Sequence, residues 1–239
     1  MTTPKAHDGA PRRNSYGRRH GKTLRKSQVV HMQTTLKEIS PKNVTYEDNP
    51  NRDPIAVTDL FGDDRPVWLE IGFGGGEHLL HMAQTYPEVG IIGCEPYVNG
   101  VAMLVPRIAE TGVTNVRVHM GDARDLLDVL PEASLDKAFL LYPDPWPKSR
   151  HRQRRFIEPE NIDQLARALK PGAEFRVATD IEDYARQTQQ HMLGRDDFDV
   201  LTTTDDALKK PWADWHRTRY EAKAIRENRT PNYMTFRRR

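Results

Sequence analysis

The stretch "PVWLEIGFGGGE", residues 66–77, decides the fold. Its first half is an apolar run rich in strand-forming residues, and its second half contains Gly72, Gly74 and Gly76. Glycines here let the chain turn sharply and let another group approach the backbone closely. The amphipathic pattern "EHLLHMAQTYP" follows and predicts a helix that ends near Pro87. The stretch therefore predicts a strand, a tight turn and a helix, which is the repeating unit of a parallel α/β sheet.

The same alternation continues along the chain. After the first unit, apolar runs predict strands within 89–96, 115–123, 135–145 and 173–180. Helical patterns occupy 97–112, 159–172 and 182–193, with Pro106 as a possible kink and Pro171-Gly172 as the end of the second helix. Strands and helices at this spacing imply right-handed crossovers, so the sequence predicts a doubly wound, mostly parallel α/β sheet.

Composition agrees with a folded domain. The 239 residues are 37% hydrophobic and 29% charged, which suits one large or two small domains. No apolar run approaches the roughly 20 residues of a membrane span, and no apolar segment follows the charged N-terminus, so we expect a cytoplasmic protein. Cys94 is the single cysteine, which excludes an internal disulfide and a multi-cysteine zinc site, and it is predicted to be a core thiol. The nine histidines lack metal-ligand spacing, so no metal is expected.

The net charge of +2 is unevenly distributed. Residues 1–26 carry eight Lys or Arg and one Asp, a charge of +7, so the remaining 213 residues sum to −5. This composition predicts a disordered basic extension over 1–40, a lead-in segment over 41–65 and a domain over 66–239. The extension either only adds solubility or acts as an arm for phosphates, and the sequence leaves both open.

Acidic residues end the successive predicted strands. They are Glu70, Glu95, Asp122, Asp144 and Asp180. Ligands of such sheets bind at the carboxyl ends of the strands, so we expect these side chains to surround one crevice.

The glycine-rich turn indicates the type of ligand. A dinucleotide fingerprint would have Gly or Ala where this chain has Glu77, and a glutamate there would repel a pyrophosphate at the helix N-terminus. A nucleoside without phosphates fits better, with Glu95 accepting from the ribose hydroxyls and Asp122 from an adenine amino group. Glu70 either orients the turn or meets a cationic group. These properties predict S-adenosylmethionine, whereas the alternative is a turn that serves packing alone.

The stretch "LYPDPWPKSRHRQRR", residues 141–155, indicates a second ligand. Pro143 and Pro145 fix the backbone on both sides of Asp144, and Trp146 offers a face on which a base can stack. Five cations follow within eight residues: Lys148, Arg150, Arg152, Arg154 and Arg155. Because they follow a strand end at the expected crevice, a nucleic acid is favoured over a merely solvated charged face.

Several motifs together resemble one family. "YPDPWPKSRHRQRR", "EIGFGGGE", "GCEP", "GDARDL", "VATD" and "TRYEAKAIRENRTPNYMTF" resemble the bacterial tRNA (guanine-N7-)-methyltransferases over about residues 66–239. The resemblance implies the class I S-adenosylmethionine-dependent fold with a seven-stranded sheet, and methylation of N7 of the variable-loop guanine, position 46, of tRNA. It implies tRNA as the partner, with no membrane and no obligate protein partner evident. Leu141, Tyr142, Ser149 and Gln153 depart from the family pattern.

The resemblance also implies roles for individual residues. Cofactor contacts fall on Glu70, Gly72, Gly74, Glu95, Asp122 and Asp144, with Asp144 also the active-site residue. Substrate and RNA contacts fall on Lys148, Arg150, His151, Arg152, Arg154, Arg155, Asp180, Thr218, Arg219, Tyr220 and Glu221.

Some of these residues have a second interpretation. Asp180 and Glu221 can grip the donor edge of guanine, but "TRYE" is also a capping box, with Thr218 as the N-cap of a helix. Trp212 and Trp215 are predicted to pack in the core. Two rival functions stay open, namely methylation of an exocyclic amino group and RNA binding without catalysis.

Overall fold

The computed structural model describes residues 17–239. Residues 1–16, which belong to the predicted basic extension, lie outside the described part of the chain. The strands are β1 (Val67–Ile71), β2 (Gly90–Cys94), β3 (Val116–His119), β4 (Leu135–Leu141), β5 (Leu169–Thr179), β6 (Phe198–Val200) and β7 (Asn232–Arg238). The helices are α1 (Lys26–Gln33), α2 (Thr35–Ile39), α3 (Val57–Phe61), α4 (Glu77–Thr85), α5 (Val98–Thr111), α6 (Ala123–Val129), α7 (Pro159–Ala168), α8 (Glu182–Leu193), α9 (Asp205–Lys209) and α10 (Arg219–Arg226).

The seven strands of the described chain form one sheet. Their order is β3-β2-β1-β4-β5-β7-β6. Strands β1 to β5 pair in parallel, and β7 runs antiparallel between β5 and β6. The order reverses at β1 and β4, so their carboxyl ends flank the topological switch point where ligands of such sheets bind. The predicted doubly wound, mostly parallel α/β sheet is confirmed.

Helices cover both faces of the sheet. All five residues of β1 are buried, and they alternate between two cores. Leu69 packs in the core that contains α6 and α7, whereas Trp68 packs in the core that contains α4 and α5. Burial on both faces explains why the central strands appear in the sequence as continuous apolar runs. In the described chain no helix is both long enough and apolar enough to cross a membrane.

Strand β5 begins earlier than predicted. The helix predicted to close at Pro171-Gly172 ends at Ala168, and both residues belong to β5. The pairing of β5 with β4 shifts register between Leu135 and Lys137. Pro171 cannot donate a ladder hydrogen bond and Gly172 has a φ of +86°. Such residues are tolerated in a strand where its pairing is irregular, so the irregularity accommodates them.

The N-terminal part of the chain is the main correction. Disorder was predicted for 1–40, yet residues 26–39 form α1 and α2, and Leu36 is buried in the core beside α5. The side-chain amide of Gln28 donates to the carbonyl of Ala102 on α5 at 2.9 Å. In the segment predicted as a lead-in, Val44 and Leu60 also lie in the sheet core. Tertiary packing therefore supplies the order that the polar composition of this region does not indicate.

Candidate active site

A cavity of about 420 Å³ opens at the carboxyl edge of the sheet. Its volume lies in the range of small-molecule sites. The predicted site residues that line it are Gly72, Gly74, Glu95, Asp122, Asp144, Arg154, Arg155 and Tyr220. Three of the five acidic strand ends therefore face one crevice, while Glu70 and Asp180 are not in its lining. A larger hollow of about 650 Å³, lined mostly by residues between 38 and 60, contains none of the predicted site residues.

The carboxylate of Glu95 joins two loops of the cavity. Its Oε2 accepts the backbone N–H of Gly74 at 2.7 Å, and its Oε1 accepts the backbone N–H of Tyr97 at 2.8 Å. The side chain is buried, and burial raises the pKa of Glu95 to about 7, partly offset by these two hydrogen bonds. Each carboxylate oxygen has a second lone pair, so Glu95 retains the capacity to accept from a ligand.

Asp122 lies across the cavity and has local partners. Its carboxylate caps α6 by accepting the backbone N–H of Arg124 at 3.0 Å. The Arg124 guanidinium also donates to both oxygens of Asp122, at 2.9 and 2.6 Å. Both residues line the cavity, so a ligand that donates to Asp122 shares that carboxylate with Arg124. No motif in the sequence indicates Arg124 as a site residue.

Packing within the protein accounts for two of the glycines in the glycine-rich turn. Gly72 has a φ of +71°, and a Cβ there would meet no atom within 4 Å. A Cβ on Gly74 would approach the Tyr220 ring to 2.8 Å, and one on Gly75 would overlap the Arg219 guanidinium. Arg219 also pairs with Glu77 at the start of α4. The turn is therefore open to the cavity at Gly72. At Gly74 and Gly75 it is covered by Arg219 and Tyr220, the first residues of α10.

Glu70 is placed differently from the prediction of a cofactor contact. Its buried carboxylate bonds to Nδ1 of His78 at 2.7 Å, and His78 lies on α4. The His78 ring packs against Phe139 and Trp215, with centroids 4.8 and 5.4 Å apart. Glu70 therefore ties β1 to α4 beneath the glycine-rich turn, which agrees with the alternative that it orients the turn.

The Asp144 turn has an unusual backbone. Tyr142 and Trp146 have φ values of +50° and +41°, which are costly for aromatic residues. Between them, Asp144 is exposed at the cavity mouth, and neighbouring groups that partly bury its carboxyl raise its pKa. Pro143 and Pro145 restrict the backbone on both sides of Asp144, but a strained backbone persists only where its surroundings hold it.

Arg155 supplies that support. Its side chain is fully buried, and Nε donates to the carbonyl of Pro145 at 2.9 Å. The other guanidinium nitrogens donate to Gln187 at 2.6 Å and Asp183 at 2.8 Å on α8, and the group lies over the Tyr184 ring. Arg155 was predicted to contact RNA. The structure corrects this, because all three nitrogens bond within the fold.

The other predicted RNA-binding cations stay near the surface. Residues Ser149–Arg154 form a short 3-10 helix with no buried residue. Lys148 and Arg150 are exposed, and Arg150 donates to His151 at 3.3 Å. Arg152 bonds to Asp183 at 2.7 Å with its side chain half exposed. Arg154 lies over the ring of Trp146, 5.1 Å from its centroid, so that indole already has a cation on one face.

The two carboxylates predicted to bind guanine already accept hydrogen bonds from other residues of the protein. Asp180 accepts from Arg229 at 2.5 Å. Glu221 is buried and accepts from the Trp215 indole at 2.7 Å and the Tyr233 hydroxyl at 2.6 Å. Neither carboxylate lines the cavity, so the structure does not bring them to the predicted position.

The alternative interpretations of this region agree with the structure. Thr218 is the N-cap of α10, since its hydroxyl accepts the backbone N–H of Glu221 at 3.2 Å. Trp212 and Trp215 pack against the core with ring centroids 5.5 Å apart, as predicted. Cys94 is buried, and burial raises the pKa of its thiol, as expected of a core cysteine.

The sheet order and the acidic cavity define a class of protein. The fold resembles the crystal structure of the 16S rRNA methyltransferase KamB, with a TM-score of 0.51, 16% identity, and coverage of 76% of this chain and 94% of that chain. The chain thus has the methyltransferase fold. A family model described as a putative methyltransferase matches residues 64–233.

Close relatives give the particular family. The tRNA (guanine-N(7)-)-methyltransferase of Paracoccus denitrificans is 61% identical over 96% of this chain and 96% of its own length. The protein of the same name from Zymomonas mobilis is 43% identical over the full length of both chains. The chain belongs to the tRNA (guanine-N7-)-methyltransferase family.

Arg155 and Arg152 share Asp183 but differ in burial, which yields a prediction. Arg155→Ala should lower the free energy of unfolding by about 3 kcal/mol, because it removes a fully buried side chain and leaves the Pro145 carbonyl and Gln187 without their donor. Arg152→Ala is the matched control and should cost less than about 1 kcal/mol, as exposed ion pairs do. Urea denaturation of both variants measures the difference. Equal losses would show that Arg155 does not support the turn.

Proposed function

We propose that the protein transfers a methyl group from S-adenosylmethionine to N7 of a guanine in tRNA, the guanine being position 46 of the variable loop. The observation that supports this most is one cavity whose lining combines Glu95, Asp122 and Asp144 with Arg154, a cation of the basic 148–154 segment. The names of the close relatives support the guanine and the tRNA. A cytoplasmic location is part of the same proposal.

The residues present fit the cofactor. Adenosine has ribose hydroxyls and an amino group to donate but no phosphate, and the cavity offers the acceptors Glu95 and Asp122. The side of Gly72 where a Cβ would project is open, which lets a ligand approach the backbone. We assign Glu95 to accept from the ribose hydroxyls and Asp122 to accept from the adenine amino group. Tyr220 lines the edge of the same cavity. When bound, S-adenosylmethionine supplies a methyl group made electrophilic by its sulfonium.

The chemistry requires little of the protein beyond position and charge. Guanine N7 has a lone pair and no proton, so its attack on a methyl group needs no general base. Positive charge develops on the purine during transfer. A carboxylate fixed near the purine therefore stabilises the transition state more than the ground state. Asp144, on a turn anchored by Arg155, has the position and the rigidity for that role.

The surface cations after Trp146 are the groups proposed to contact the RNA. Lys148, Arg150, Arg152 and Arg154 follow the Asp144 turn directly, and phosphate contacts of this kind position a nucleic acid without reading its sequence. We leave Arg155 out of this set because its guanidinium is buried. We assign Asp180 and Glu221 to holding neighbouring segments of the protein in place, and not to binding the guanine.

Product analysis tests the proposed function. The protein is incubated with labelled S-adenosylmethionine and unmodified tRNA, and the RNA is digested to nucleosides. We expect 7-methylguanosine, lost when the tRNA carries adenosine at position 46. A label on an exocyclic nitrogen would favour the rival amino-group methyltransferase. Binding of both ligands without a labelled nucleoside would favour an RNA-binding protein.

A charge-removing variant tests the role of Asp144. Asp144→Asn keeps the shape of the side chain and should slow methyl transfer by on the order of 10²–10³, as removal of one stabilising group does in other enzymes. Single-turnover rates with cofactor and tRNA saturating isolate this step. A wild-type rate would exclude the electrostatic role.

The raised pKa of Glu95 predicts a pH dependence of nucleoside binding. The ionised carboxylate is the better acceptor, so affinity should rise as the pH increases through about 7 and then level off. If only that form binds, affinity should change by about tenfold between about pH 6 and about pH 8. The probe is 5′-methylthioadenosine, which has no group that titrates in this window. Calorimetry at each pH measures the effect.

Glu95→Gln is the control for this titration. It cannot ionise, so its affinity should be independent of pH and weaker than that of the wild type at about pH 8 by about 1.5–3 kcal/mol. A wild-type affinity that does not change with pH would contradict the assignment of the ribose to Glu95.

A further inference from the structure

A basic segment crosses the edge of the cavity. Residues 17–26, "GRRHGKTLRK", contain five cations and no acidic residue. We call them the N-terminal segment. Gly17 and Arg18 line the cavity, and a Cβ on Gly17 would stand 3.6 Å from Oδ2 of Asp144. The segment is therefore adjacent to the proposed reacting position, although it is more than 100 residues away in the chain.

The backbone of this segment is fixed to the start of α5. The carbonyl of Arg19 accepts the backbone N–H of Val98 at 2.9 Å. Asn99 accepts the backbone N–H of Gly21 through Oδ1 and donates to the carbonyl of Lys22 through Nδ2, both at 2.6 Å. A side chain on Gly21 would overlap the Tyr97 hydroxyl. The fold thus specifies the path of these residues through main-chain contacts.

The side chains of the segment remain outside. Arg18, Arg19, Lys22 and Arg25 are exposed, as is Lys26 at the start of α1. Holding like charges close together on a fixed backbone is unfavourable by self-repulsion, and a polyanion relieves that repulsion. Arg18 and Arg154 line the same cavity from segments distant in sequence, so basic groups reach its mouth from two separate parts of the chain.

We propose that the N-terminal segment is a second RNA-binding surface, which contacts phosphates near the target nucleotide independently of residues 148–154. The inference rests on the proposed function, since the RNA is the tRNA substrate. The sequence leaves two roles open for the basic extension, namely added solubility and phosphate binding. For residues 17–26, the proposal favours phosphate binding.

The test measures how salt affects tRNA binding. Arg19, Lys22 and Arg25 are replaced together by Ala, and Arg18 is retained because it lines the cavity. The main-chain bonds to Val98 and Asn99 do not involve the removed atoms. Each lost phosphate contact should reduce the slope of log Kd against log salt by about 0.7–0.9, so the triple variant should lose about 2.

A control variant removes the same charge from the opposite edge of the sheet. Lys170, Arg237 and Arg239 lie near the start of β5 and the end of β7, with side chains 43, 49 and 55% exposed. Their replacement by Ala should leave the slope at the wild-type value. Calorimetry with 5′-methylthioadenosine checks that the cavity of both variants is intact.

The outcomes separate the two proposals. A wild-type slope in the N-terminal variant, or equal losses in both variants, would overturn the second RNA surface while leaving the methyl transfer intact. If the wild-type protein neither binds nor methylates tRNA, the proposed function itself fails. A reduced slope in the N-terminal variant alone supports the inference.

Discussion

The buried carboxylate of Glu95 is the interaction on which the site depends. It accepts one backbone N–H from the turn after β1 and one from the loop after β2, so it fixes the two loops that flank the cavity. Burial is unfavourable for this charge. The shift of its pKa from 4.5 to about 7 corresponds to roughly 3 kcal/mol. Because the folded-state pKa is raised, stability falls as the pH rises between these values, and the two backbone bonds reduce that loss.

Two of the glycines in the turn after β1 make room for side chains of the fold. Tyr220 and Arg219 occupy the space that side chains at Gly74 and Gly75 would need. The carbonyl of Gly74 occupies the corresponding space beside Gly100 on α5. Packing and cofactor binding are rival interpretations of the glycines in the sequence, and the structure shows close packing at Gly74 and Gly75 but open space at Gly72. The open side of the turn lies at Gly72, whereas Gly74 and Gly75 pack against the first residues of α10.

The parallel sheet was predictable because burial on both faces leaves a strong signal in the sequence. Continuous apolar runs marked β1, β2 and β4, and Glu95 and Asp144 after the second and third runs marked the edge where the cavity opens. The strand order and the antiparallel placement of β7 between β5 and β6 came only with the structure. The helices at 26–39 could not be predicted from composition, because their stability comes from packing on α5. No local pattern indicates that Gly17 reaches Asp144.

The five cations after Trp146 show why a charge cluster alone does not define an RNA surface. In the sequence, Arg155 is equivalent to its neighbours, yet it is the one fully buried side chain among the five cations. The planar group can donate in three directions, and here the three acceptors are the Pro145 carbonyl, Gln187 and Asp183. A lysine could not make these contacts, because it is a single charged centre. Arg155 joins the strained Asp144 turn to α8, while none of the cations before it in the sequence is buried. One basic run therefore fixes the proposed catalytic carboxylate and supplies the charge proposed to contact RNA, and only burial distinguishes the two roles.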